Sequence, residues 1–253
     1  MRTYRAIVHE DGPALWPEHK PLDEVLKLMA TTPALIWEGT YQGSPTPAGG
    51  YTFRREWWSG KRRYALEDDG WSNQVIGRYQ SWDTAEEAGE TNAWTVCVTA
   101  DILRDYRLLV RDVYRERMTF DVLPATIESM ARLWNLDRLL RQVVIEDKSS
   151  GKSARQTLGA AGPEWLRELL AAYRPSGSKE VRAGAASVWC ANGMVWLPHP
   201  GPAVGWLMDF EDELFNFPQS AYMDQVDAFS QLVLFCENYL SAGWEARGRG
   251  RKE

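Results

Sequence analysis

The sequence predicts an α/β domain built on a mixed β-sheet, and three observations carry that expectation. Runs rich in β-branched and aromatic residues recur at Arg78 to Thr84, Ala93 to Ala100 and Arg107 to Tyr114. A short, continuously apolar run, Gln142 to Glu146 (QVVIE), has the character of a strand buried in the middle of a sheet. Segments of helical spacing fill most of the chain beyond it.

Taken in order, residues 1–77 are expected to be an irregular N-terminal linker region. Pro13, Pro17, Pro21, Pro33, Pro45 and Pro47 interrupt it, and Gly49-Gly50 marks a turn. One helix is predicted around Pro21 to Ala30, with Leu22, Val25, Leu26, Leu28 and Met29 as its apolar side. The first strand carries Asp83 at its end. The short gap between the second and third strands favours a hairpin. Leu123, Ile127, Met130, Ala131 and Trp134 give Leu123 to Leu136 a helical stripe. After QVVIE, helices are predicted at Ser153 to Leu158, Pro163 to Tyr173 and Lys179 to Val188. Met194 to Leu197 reads as a further strand, with helices then at Trp206 to Phe217 and Tyr222 to Leu240. The domain is thus expected over 78–241, with a basic tail at 242–253 that alternates Gly and Arg and is expected to lack order.

Composition sets outer bounds. Hydrophobic residues at 44% and charged residues at 25% are a globular mix, which excludes a disordered or fibrous chain. No apolar run approaches the roughly 20 residues that span a bilayer, and the N-terminus lacks the apolar core of a secretory signal. Cys97, Cys190 and Cys236 are far apart and odd in number, which argues against a disulfide framework or a zinc cluster. A soluble, intracellular protein is expected. The net charge of −6 argues against simple attraction to nucleic acid, because Lys and Arg carry phosphate binding. Carboxylates that hold cations also require local negative charge, and the basic residues are clustered, notably from Arg104 to Arg117. Charge alone decides neither way.

Acidic residues stand where this layout would gather them. Asp83 ends the first strand, Glu146 and Asp147 end the buried strand, and Asp224 and Asp227 lie in the first turns of the last helix. Ligands collect at strand ends in open α/β sheets. Convergent carboxylates suit hard cations such as Mg²⁺ or Mn²⁺, and two such ions about 3.5–4 Å apart can activate a water and stabilise a leaving oxygen. Each acid also has a plainer use. A strand-end Asp forms turns or caps helices, and Asp224 and Asp227 suit the positive end of a helix dipole. Spacing leaves both uses open.

The flanking residues narrow the choice. Tyr79-Gln80-Ser81-Trp82-Asp83-Thr84-Ala85 resembles the opening strand of the nuclease domain in large terminase subunits of tailed bacteriophages. In order, Val144 to Gly151 resembles that family's second acidic strand and loop, and Lys179 and Arg182 its next Lys and Arg. Gly193 to Pro198 resembles its late strand, and Glu213 to Pro218 with Asp224 to Ala228 its closing signature. Trp37 to Pro45 and Phe53 to Trp57 resemble the stretch joining the ATPase motor to the nuclease, which makes 1–77 the tail end of the ATPase region. The resemblance covers nearly the whole chain through five motifs in order.

It implies an RNase H-like fold, cleavage of double-stranded DNA concatemers during genome packaging, and two Mg²⁺ or Mn²⁺ ions held by Asp83, Glu146 and Asp224. Asp83 would bridge both ions. The family's His-Asp-Asp is replaced by Tyr222-Met223-Asp224, and Asp227 one turn on is a supporting metal residue. Asp147 is the weaker of its pair, since adjacent strand residues face opposite sides. Lys148, Lys179 and Arg182 are the expected DNA contacts, with solvation or pairing to acids as their plainer roles. Gly151-Lys152-Ser153 ends like a phosphate-binding loop, but Glu146 stands where its first glycine must fall, so no ATP site is expected. His199 is not read as a ligand. Trp57, Trp58, Trp71 and Trp82 are read as packing residues. The implied partners are double-stranded DNA, the small terminase subunit and the portal protein, in the host cytoplasm with no membrane. The rival readings are a nuclease for branched DNA or RNA–DNA hybrids, and a docking module of the motor with vestigial acids.

Overall fold

The computed structural model describes residues 15–32, 41, 52–60, 62–66, 69–85 and 94–249. Within them the chain runs α1 (Leu22–Thr31), β1 (Arg63–Tyr64), β2 (Val75–Asp83), β3 (Thr95–Leu103), β4 (Leu108–Glu116) and α2 (Leu123–Leu133). It continues through β5 (Leu140–Glu146), α3 (Ser149–Ala161), α4 (Glu164–Arg167), β6 (Leu170–Tyr173) and α5 (Lys179–Ala191). It closes with β7 (Val195–Pro198), α6 (Leu207–Asn216), α7 (Asp224–Phe235) and α8 (Glu237–Arg249). The expected mixed sheet flanked by helices is present, in the order β1-β7-β4-β3-β2-β5-β6. The β2-β3-β4 meander is antiparallel, and β5, β6, β7 and β1 join it through parallel pairings.

The sheet is covered on both sides, which explains why its central strands read as unbroken apolar runs. On one face, Val96, Val98 and Val113 pack with Ala186, Phe210, Val226 and Phe229 from α5, α6 and α7. On the other, Trp82, Cys97, Val143 and Ile145 pack with Ile127, Ala131, Ala154 and Leu158 from α2 and α3. Pro124 in the first turn of α2 and the Ser178 side chain accepting from Val181 N at 3.3 Å fix two helix starts.

The structure departs from the sequence reading in four places. The helix expected over Pro163 to Tyr173 stops at Arg167, and Leu170–Tyr173 is instead the edge strand β6. Its neighbouring carbonyls, Leu169 O and Tyr173 O, accept from Val143 N at 2.8 Å and Asp147 N at 2.7 Å. That pairing with β5 is non-local, and local periodicity carries no trace of it. The helix expected over Tyr222 to Leu240 starts at Asp224 and breaks at Cys236, whose ψ of 3° leaves the helical range. Packing also continues N-terminal of residue 78. Phe53, Trp58 and Tyr64 are fully buried, Trp58 Nε1 donates to Val195 O at 3.0 Å, and β1 extends the sheet beside β7. Finally, α8 runs to Arg249 inside the tail expected to lack order, and buried Gly243 lies against Tyr106 and Met194.

One predicted helix and two predicted packing residues fit the structure. The helix at Pro21 to Ala30 is α1, and Trp58 and Trp82 are buried packing residues. Cys97, Cys190 and Cys236 are buried and free. Among the described residues no helix is long and apolar enough to cross a membrane. The stretch from residue 37 to 40, Gln42 to Pro45, the Gly49-Gly50 turn and tail residues 250–253 lie outside the described residues.

Candidate active site

β2 and β5 are adjacent and parallel, paired up to Trp82 and Ile145, so Asp83 and Glu146 emerge side by side at the C-terminal ends of these two interior strands. Both are buried. Two carboxylates cannot ionise freely at such range, and here they share a hydrogen bond. Burial pushes the Asp83 carboxyl well above the usual carboxylate range; Lys179 draws it down, while Asp227 and Glu146 push it further up. Burial also raises Glu146, but the hydrogen bond from Asp83 and the Lys148 ammonium outweigh it and leave its pKa lowered. The environment thus pushes the two carboxyls apart, Asp83 up and Glu146 down.

α7 brings its first turn to the same place. Its free amides are capped from a distance: Glu213 on α6 accepts from Gln225 N at 2.7 Å and Val226 N at 3.1 Å, and its other oxygen accepts from Gln225 Nε2 at 2.7 Å. A buried carboxylate at a helix N-terminus suits the dipole. Glu213 thereby fixes the turn that carries Asp224 and Asp227. Nothing local in the sequence marks this cap, because cap and helix are separated by a loop.

α5 supplies the cations. Lys179 Nζ lies 3.3 Å from Asp227, 3.4 Å from Asp224 and 3.9 Å from Asp83. Burial works against its charge, yet these three carboxylates prevail and hold its pKa above the usual lysine value. One turn on, Arg182 is buried and donates to Asp227 Oδ1 from Nη2 at 2.5 Å and Nε at 3.1 Å, and to Gly177 O at 2.9 Å. Its guanidinium faces inward, which leaves it poorly placed for the DNA contact expected of it. Lys148 is half-exposed and lies 2.7 Å from Glu146 Oε1. Asp147 points elsewhere, to Arg174 and Arg155 at 3.0 Å each, and these guanidinium groups hold its carboxyl low.

A glycine sets the floor. A Cβ on Gly151 would lie 2.4 Å from Glu146 O and 2.9 Å from Thr84 Oγ1, so α3 can start against the ends of β2 and β5 only without a side chain there. Ser150 Oγ donates to Thr84 Oγ1 at 2.9 Å and ties the two ends together. The Gly151-Lys152-Ser153 sequence is thus a close-approach device, in keeping with the rejection of an ATP loop.

Among the described residues, no three His, Cys, Asp or Glu side chains as they stand form a group that could hold a metal ion. Lys179 occupies the space between Asp83, Asp224 and Asp227. The donor set nevertheless fits a hard divalent cation, being all carboxylate oxygen. Glu146 is buried, and its Oε1 is met by the Lys148 ammonium at 2.7 Å, a half-exposed partner. Asp83 and Glu146 fit best, while Asp227 is already bound by Arg182.

Known proteins share this architecture. The family described as the terminase RNaseH-like domain matches residues 80–234. The large terminase of a thermophilic bacteriophage superposes with a TM-score of 0.58 at 9% identity, over 85% of this chain and 53% of that one. This chain therefore spans about half the length of that terminase. The human cytomegalovirus terminase nuclease domain gives 0.50 at 12% identity, over 72% of this chain and 92% of that domain. A manganese-soaked form of the cytomegalovirus domain gives 0.47 at 11% identity, over 71% and 92%. These likenesses concern the fold. No curated protein matches the sequence.

Proposed function

Since the chain belongs to the terminase RNase H-like domain family, we propose that it is a metal-dependent endonuclease that cuts double-stranded DNA concatemers during phage genome packaging. The observation that carries this reading is the convergence of Asp83 from β2 with Asp224 and Asp227 from α7 on Lys179, with Glu146 of β5 beside Asp83 at the strand ends. Asp83, Glu146 and Asp224 would hold two Mg²⁺ or Mn²⁺ ions, with Asp227 in support. Bound there, the ions supply Lewis-acid activation of a water and neutralise charge developing at phosphorus.

The chain's own residues do the rest. Asp83 and Glu146, buried side by side, would both serve a cation as ionised carboxylates. Lys148, half-exposed beside Glu146, faces the approaching phosphate as a point charge. Lys179 leaves the carboxylates it bridges and becomes available to the substrate. Glu213 and Arg182 keep α7 in register, and so keep Asp224 within reach. In the full packaging complex, in the host cytoplasm, the partners would be the small terminase subunit and the portal protein.

One observation favours a second reading, a non-catalytic docking module: Lys179 already neutralises the acids that a metal would need. Plasmid nicking in Mn²⁺ separates the two. The wild type should relax supercoiled plasmid, and Asp83→Ala should not, while keeping its circular dichroism. Nicking by Asp83→Ala defeats the assignment of Asp83 to the catalytic centre, and a wild type that binds no Mn²⁺ and leaves plasmid supercoiled favours docking.

A further inference from the structure

The three basic residues expected to meet DNA are all engaged by acids of the site itself. A polyanionic substrate held only by those residues would meet a surface already neutralised. Another basic group stands at the same end of the sheet's strands. β2 pairs Asp83 with Val96 of β3, and β3 pairs Val96 with Arg115 of β4. Cross-strand partners point to one face, so Arg115 faces the same side as Asp83, two strand spacings or about 10 Å away.

Around Arg115 an aromatic stack is built. The guanidinium groups of Arg115 and Arg117 both lie over the indole of Trp94, each 4.3 Å from its ring centroid. Tyr222 meets Trp94 edge-on at 6.0 Å and lies two residues before Asp224, joining the stack to the turn that carries the acids. Arg115 is restrained by Asp209 at 3.8 Å and Glu213 at 3.7 Å. Arg117 is exposed and has no ion pair among the described residues. A planar cation fixed on an aromatic face has little freedom left to lose, and it presents its remaining donors to solvent in a fixed fork.

We infer that Arg117, held on Trp94 and backed by Arg115 and Tyr222, is a phosphate-gripping ledge for duplex DNA. It holds the backbone a few nucleotides from the phosphate at Asp83 and Glu146. The inference rests on the nuclease reading for its choice of partner. Duplex is favoured over a folded protein because the ledge offers guanidinium donors and ring edges, and no contiguous apolar surface.

The test is binding of a short fluorescent duplex, monitored by anisotropy across a salt series without added divalent metal so that nothing is cut. Arg117→Ala should weaken binding about three- to tenfold and reduce the slope of log affinity against log salt by about 0.9, the signature of one lost phosphate contact. Arg117→Lys should keep the slope and lose part of the affinity. Arg117 is exposed and makes no ion pair among the described residues, so the alanine variant should stay folded and lose no more stability than one exposed cation–π contact provides. Unchanged affinity and slope in Arg117→Ala, with a wild type that binds, overturn the ledge and leave the nuclease reading intact. A wild type with no affinity for duplex overturns both. Plasmid cutting that survives Asp83→Ala removes Asp83 from the catalytic centre and leaves the ledge standing.

Discussion

Lys179 Nζ lies 3.4 Å from Oδ1 of Asp224. The contact joins α5 to α7, and through the same ammonium to Asp83 on β2. It is the tie that draws the most weakly marked acid of the sequence into the group. A single positive charge among three carboxylates does electrostatically part of what a divalent cation would do, so lysine and metal compete for one place.

Removing that charge should therefore favour the metal. Two unit charges about 4 Å apart interact by about 1–4 kcal/mol between water-like and surface-like dielectric, so Lys179→Met should bind Mn²⁺ about tenfold more tightly or better. Titration calorimetry checks this. The metal-free variant should also melt earlier than wild type, because its acids then repel without relief. Weaker Mn²⁺ binding would mean that Lys179 helps to build the site instead of competing for it.

Arg182 and Asp227 form a buried pair. Truncating Arg182 leaves Asp227 with only Lys179, 3.3 Å away, as its cation, so the cost approaches the roughly 3–5 kcal/mol of a broken buried pair without the full penalty of a lone charge. Arg182→Ala should lose stability on that scale in urea unfolding, and replacing both residues by apolar ones should recover much of it. A loss below about 1 kcal/mol would show that water reaches Asp227.

Glu213 gives the pH dependence. Burial raises its pKa in the fold, and the hydrogen bonds from Gln225 and Val226 only partly offset that. Above its ordinary value of 4.5 the unfolded chain loses this proton first, so the folded protein holds more protons and stability falls as pH rises. The fall continues until pH passes the raised value, with a slope of at most about 1.4 kcal/mol per pH unit. Glu213→Gln cannot titrate. Its stability relative to wild type should rise through that window and be flat on either side. A relative stability that falls there would contradict the sign.

Gly151→Ala should be out of proportion to its size. The added methyl meets the Glu146 carbonyl at 2.4 Å, and backbone cannot rotate aside as a side chain can. Overpacking of this kind costs about 1–3 kcal/mol, and because α3 must withdraw from Glu146, Mn²⁺ affinity should fall with stability. Wild-type values of both would show that α3 shifts freely.

How far the sequence discloses this molecule depends on how local each feature is. The β2-β3-β4 meander and β5 announce themselves through apolar and β-branched runs, and the mixed sheet results. β6 does not, because Leu170–Tyr173 becomes a strand only by pairing with β5. Trp58 and Tyr64 sit in a stretch broken by proline and glycine, yet both are buried against partners far along the chain. The acids are legible as residue types at element ends. Their partners are not: Lys179 and Arg182 look the same on paper whether they face DNA or face Asp224 and Asp227. Glu213 belongs to the closing signature but carries no role that sequence can assign, since its service to α7 exists only in space. The one signal open to a sequence reader is an acid on one helix able to reach the start of its neighbour.

The central claim is that Asp83, Glu146 and Asp224 hold the catalytic ions. A crystal of the protein soaked in Mn²⁺ tests it most directly, through anomalous difference density. One or two peaks are expected between these carboxylates, with Lys179 withdrawn from Asp83 and Asp224. An empty site at saturating Mn²⁺, with Lys179 still seated between them, would contradict it.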